Sequence, residues 1–103
     1  MALILVLINP RQSLAQENKQ FDIYMNQWDQ KRELASQYLI EAEKSFKEGD
    51  ELSACSNQQK ASEFGIEATQ ALIKAMKING SNNGIENLQA GLDKWRELGK
   101  YCT

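Results

Sequence analysis

The chain has 103 residues, a formal net charge of −2, 42% hydrophobic and 25% charged residues, two cysteines and no histidine. That size is one domain, and that balance belongs to a chain that folds. Slight acidity without a Lys/Arg run or basic–aromatic interleaving excludes a phosphate-tracking nucleic-acid surface; lack of histidine excludes Ser-His and Cys-His nucleophilic pairs and leaves two cysteines short of a tetrahedral metal set.

The first stretch, MALILVLINPRQSLAQ, differs from the rest. Ala2 to Ile8 form a short apolar run, Asn9-Pro10 breaks it, and Ser13 and Ala15 place small residues where a signal peptidase reads. This is the layout of a secretory signal peptide over residues 1–15, cleaved after Ala15, followed by a single helical domain over residues 16–103. The run is too short for a stable membrane span, which takes roughly 20 apolar residues. No Lys or Arg precedes it, so the alternative is a buried N-terminal segment with Ser13-x-x-Gln16 as a capping box. Two cysteines in an otherwise thiol-free chain point the same way as export, to a secreted or periplasmic, oxidising compartment.

From Glu17 to Glu48, Phe21, Tyr24, Met25, Trp28, Ala35, Leu39, Ala42 and Phe46 fall at the spacing of one buried helical stripe. Gly49 stops this helix, and Asp50 caps the next, with Glu51 near its positive end. The second helix is expected from Glu51 to Ile78. The linker NGSNNG follows, Asn83-x-x-Glu86 offers a capping box for a third helix, and Gly99 ends it. Ile85, Leu88, Leu92, Trp95 and Leu98 lie on one side of that third helix.

Ala54, Ala61, Ala68 and Ala75 recur every seven residues on the second helix. A ridge of small side chains invites large ones from the partner helix. Folding back at Gly49 sets Phe46 near Ala54, Leu39 near Ala61, Trp28 near Ala68 and Leu72, and Phe21 near Ile78. Gly65 in mid-helix costs about 1 kcal/mol against alanine, which close approach of a neighbouring helix explains. Ile66 and Ile73 form a second apolar side that the third helix must cover. The expected fold is all-α, an up-down-up three-helix bundle of two long helices and a shorter third.

Cys55 is in line with Ile66 and Ile73, and Cys102 continues the Leu88–Trp95 stripe, so both point into the seam between the second and third helices. A simple hairpin sets Cys102 opposite about residue 61, and an extended Lys100–Cys102 tail closes the remaining gap. A Cys55–Cys102 disulfide is expected, contributing about 4 kcal/mol in the chain-entropy model; the alternative, two free buried thiols, fits only a cytosolic chain.

Acidic residues mostly sit one turn from lysines, as in Glu43–Lys47 and Lys44–Glu48, and read as solvated faces. Asn79-Gly80-Ser81 matches a glycosylation sequon, relevant in a eukaryotic secretory route. Arg32 lies within the first helical stripe beside Trp28, and Asn57 on the alanine side of the second helix. Locally bonded polar residues are one reading; the other is a partner-binding notch of Trp28, Arg32 and Asn57 that accepts an acidic group. The segment FKEGDELSACSNQQKA resembles the middle of a tetratricopeptide repeat, with Gly49-Asp50 in its turn and Ala42, Phe46, Ala54 and Ala61 at its packing positions. The resemblance covers about 25 residues and implies a helical hairpin with packing suited to protein contacts. KWRELGKYC is similar to the ending of small periplasmic lysozyme-inhibitor-type proteins. The functional expectation is a small exported interaction module, not an enzyme, binding another protein or an envelope component without a cofactor. Alternatives are a periplasmic inhibitor of a cell-wall hydrolase or a small carboxylate-based hydrolase.

Overall fold

The computed structural model describes residues 10–102, with side chains from residue 18 onward. The apolar run Ala2–Ile8 of the expected signal peptide lies outside the described residues. Three helices follow in order: α1 Pro10–Lys47, α2 Glu51–Ile78 and α3 Ile85–Lys100. Each runs antiparallel to the one before, and the fold is an all-α, up-down-up three-helix bundle.

α1 begins seven residues before the expected Glu17 boundary. Proline suits a first helical position, because the N–H it lacks would have no partner inside the helix. At the other end Gly49 takes φ 79°. The Asp50 N–H donates to the Ser45 carbonyl at 2.9 Å and the Gly49 N–H to that of Phe46 at 3.1 Å. These two bonds are a Schellman cap, which needs the left-handed backbone that glycine adopts freely. Asp50 then caps α2 as expected, its side chain accepting from the Ser53 N–H at 3.0 Å.

The second connection departs from expectation. No Asn83–Glu86 capping box forms; the N-cap of α3 is Gly84, at φ 88° and with no side-chain cap bond. The left-handed backbone here selects glycine over the asparagine beside it. α3 also runs through Gly99, which does not end it. A Cβ on Gly99 would stand 2.6 Å from Ser62 Oγ, so this glycine serves close helix approach.

The seam between α1 and α2 overturns the large-against-small expectation. Leu39 and Phe46 are exposed, at 37% and 48%, whereas Ala35, Ala42 and Ser45 are the buried residues of α1 among those described. α1 touches only α2 among the described residues, so these small side chains meet the buried ridge of Ala54, Ala61, Ala68 and Ala75. Small residues on both sides let the two backbones approach closely, and Leu39 and Phe46 then find no room between them. Phe21 and Trp28, also expected in the seam, are half-buried. Apart from Ile73 and Leu92, every buried apolar residue described is an alanine.

α3 packs on the second side of α2, where Ile73 is buried and Ile66 half-buried, as expected from their spacing. Much of that interface is polar. Gln58 Nε2 donates to the Leu98 carbonyl at 3.1 Å, and Ser62 Oγ to the Trp95 carbonyl at 2.5 Å. The Trp95 indole lies directly on Gly65, so α3 is the helix whose approach that glycine admits. α1 and α3 do not touch among the described residues. The molecule is accordingly long, 73 × 22 × 18 Å with a radius of gyration of 19.2 Å, against about 13 Å for a compact chain of this size.

Candidate interaction surface

Two rows seven residues apart build one edge of the α1/α2 hairpin: Tyr24, Lys31, Tyr38 and Ser45 on α1, and Ser53, Lys60, Glu67 and Lys74 on α2. They interleave in order. Lys74 Nζ sits 5.6 Å from the Tyr24 ring centre, and Lys31 Nζ lies 2.9 Å from Glu67 Oε2 and 5.2 Å from the Phe64 ring. Tyr38 stacks on Phe64 with centroids 5.6 Å apart, and Lys60 Nζ lies 5.5 Å from the Tyr38 ring. Ser45 Oγ and Ser53 Oγ close the ladder at 3.2 Å. Each cation–aromatic contact at such partly exposed sites contributes about 0.5–1 kcal/mol; the half-exposed Lys31–Glu67 pair adds about 0–1 kcal/mol. The ladder therefore fixes the register of a seam whose alanines offer little interlocking shape.

Ala71 is the small member of the row Phe64, Ala71, Ile78. Where it falls, the edge opens into a shallow cleft of about 290 Å³ lined by Gln27, Lys31, Glu67, Gln70, Ala71 and Lys74. Its polar groups carry both signs of charge, with Lys31 already paired to Glu67.

The structure brings two of the three predicted notch residues together. Arg32 Nη2 is 2.6 Å from Asp29 Oδ1, and its guanidinium lies 4.9 Å from the centre of the Trp28 ring. Asn57 stands elsewhere: its Nδ2 is 3.5 Å from Ser53 Oγ, at the hairpin end of the ladder. Both polar residues thus have local bonding partners.

Cys55 and Cys102 are joined, with Cα atoms 5.4 Å apart. The expected extended tail is not used, because α3 lies further toward the start of α2 than a simple hairpin places it. Trp95 is beside Ser62, Leu98 beside Gln58 and Cys102 beside Cys55. The linker doubles back to achieve this, with the Ser81 N–H on the Met76 carbonyl at 3.0 Å and Gly84 alongside Met76 Cε.

Among the described residues, the two most exposed large apolar side chains stand at the disulfide end. Leu52, one turn before Cys55, is 87% exposed, and Tyr101, next to Cys102, is 88% exposed. The Ser45–Ser53 contact sets the neighbouring Phe46 at the level of Leu52. Sequence reasoning missed both this set and the ladder. The ladder's two heptad rows were visible in the sequence, but Leu52 and Tyr101 stand alone on their faces and carry no periodic signal.

Among the described residues no group of three or more cysteine, aspartate or glutamate side chains is placed to hold a metal ion. No helix there is long and apolar enough to cross a membrane. Compared with models of known protein families, with curated proteins and with solved structures, the chain matches none.

Proposed function

We propose that this protein is a non-enzymatic interaction module of an oxidising compartment, exported after removal of its first 15 residues, that binds another protein through its disulfide end. The observation carrying this reading is the near-complete exposure of Leu52 and Tyr101 beside the Cys55–Cys102 bond. Most of the large apolar side chains described are half-buried, whereas Phe46, Leu52 and Tyr101 are left outside at one end. Large apolar residues in such a cluster supply the core of a protein interface. The disulfide supports the reading because it holds Tyr101 in place at what would otherwise be a fraying terminus.

The test is paired isolation from the native host's envelope fraction. The unaltered protein should bring down one partner in stoichiometric amount, and the Leu52→Ser/Tyr101→Ser double variant should keep its circular dichroism and melting temperature while losing that partner. A double variant that still binds refutes the assignment of the surface. A clean monomer with hydrolytic activity that disappears with one carboxylate substitution refutes the class. Intact mass of the exported protein decides the cleavage, since a full-length mass would contradict removal after Ala15.

A further inference from the structure

Both Asn-Gly pairs of the chain, Asn79-Gly80 and Asn83-Gly84, lie in the linker between α2 and α3. Such pairs undergo a self-contained reaction in water. The glycine amide nitrogen gives its proton to a solvent base and attacks the asparagine Cγ. As that N–C bond forms, the Cγ–Nδ2 bond breaks and the departing nitrogen takes a proton from water to leave as ammonia, giving a cyclic succinimide. Water then opens either carbonyl, producing aspartate or isoaspartate. Glycine favours the attack because it has no side chain to obstruct its nitrogen. Both asparagines are exposed, and in the sequence the two pairs look equivalent.

Their backbones are not equivalent. Asn79 is the C-cap of α2, at φ −75° and ψ −2°, and its N–H donates to the Ala75 carbonyl. Gly80, at φ 69°, donates its N–H to the Lys77 carbonyl at 3.1 Å, and the Ser81 N–H donates to that of Met76 at 3.0 Å. This is a complete Schellman cap, so the nitrogen that must attack is a member of the motif that ends the helix. Using it means taking the cap apart. The second pair is built differently. The Ile85 N–H reaches back toward the Asn82 carbonyl at 3.5 Å, and Gly84 has φ 88° and ψ −6°. Those angles are the third position of a type II turn, whose own N–H takes no part in the turn's hydrogen bond. The Gly84 N–H makes no hydrogen bond among the described residues.

We propose that Asn83 is a deamidation site of the folded protein, whereas Asn79 is protected by the C-terminal cap of α2. The aspartate product places a carboxylate just before the first turn of α3, whose N-cap has no side-chain acceptor and whose free N–H groups favour negative charge. The isoaspartate product adds a backbone carbon to the turn that sets where α3 begins. The same residue thereby yields one product that suits the helix start and one that disturbs it.

The experiment incubates the oxidised full-length protein at mildly alkaline pH and maps the digest by mass spectrometry for amide-to-acid conversion, with isoaspartyl methyltransferase labelling to count the rearranged product. Conversion at Asn83 should exceed that at Asn79 severalfold in the folded protein. In the urea-unfolded, reduced chain the two sites should convert at similar rates, because both then have an unhindered glycine nitrogen. The Asn83→Gln variant should lose most of the folded-state signal. Equal rates in the folded protein, faster conversion at Asn79, absence of conversion at Asn83, or a preference for Asn83 that persists unchanged after unfolding would each overturn the proposal.

Discussion

Replacing Gly65 by alanine separates the packing of α3 from the intrinsic stability of α2. On helix propensity alone the change should stabilise the protein by about 1 kcal/mol. The new Cβ, however, would stand 2.5 Å from Trp95 Cε3 and nearer still to Cδ2 and Cε2. Carbon atoms pack at about 3.5–4 Å, so the indole must withdraw by at least about 1 Å. It cannot do so alone, because Trp95 and Leu98 are tied to α2 through the Ser62 and Gln58 hydrogen bonds to their carbonyls. Overpacking of this kind costs about 1–3 kcal/mol, and loosening each hydrogen bond adds about 0.5–1.5 kcal/mol. The expected sum is a net loss of about 1–5 kcal/mol, with the melting temperature falling about 4–8 °C for each kcal/mol. Gly91→Ala is the control: nothing lies within 4 Å of its added Cβ, so the same substitution should stabilise α3 by about 0.5–1 kcal/mol. Thermal melts followed by circular dichroism, with tryptophan emission reporting Trp95 once Trp28 is replaced by phenylalanine in every variant, read both variants. Should Gly65→Ala raise the melting temperature as Gly91→Ala does, the close approach of α3 at this position would be refuted.

Reduction of Cys55–Cys102, both half-exposed and so open to a reductant, should remove about 4 kcal/mol; hydrogen exchange should rise first from Lys94 onward while the α1/α2 hairpin stays protected, and uniform loss of protection would contradict this. Ala61→Leu, at a fully buried seam position, should cost about 1–3 kcal/mol in a urea series, whereas Leu52→Ser should stay within about 0.5 kcal/mol; equal costs would show the faces reversed. Ser62→Ala should lower stability by about 1 kcal/mol through the lost bond to the Trp95 carbonyl, measurable in the same series, and Ser56→Ala on the exposed face should not.

The candidate site was only partly legible beforehand. Trp28 and Arg32 share a face at helical spacing, so their meeting follows from α1 alone. Asn57 sits on α2, where its bond to Ser53 is local, at i,i+4; that it stands apart from Trp28 and Arg32 needed the α1/α2 register. The cation–aromatic ladder needs the α1/α2 register before either heptad row has meaning. Leu52 and Tyr101 needed the burial of everything around them, since one exposed apolar residue in a sequence is indistinguishable from one that packs.

Local chemistry determined the elements. Gly49 and Asp50 bounded the first connection because a left-handed cap and a side-chain acceptor are properties of those two residues. The span of α2 followed from its uninterrupted periodicity between two glycine turns, and the Cys55–Cys102 pair followed from both cysteines falling on one seam. Faces and depths were decided by the tertiary structure. An alanine row is compatible with a large partner or with another small row, and periodicity carries no information about interhelical distance; once Ala35 and Ala42 meet Ala54 and Ala61, Leu39 and Phe46 are forced outward. Gly99 likewise reads as a helix end in isolation and as a contact with Ser62 in the fold. The level of α3 was set by the path of the linker, whose six residues bend back over Met76 through backbone angles that glycine permits but does not by itself choose.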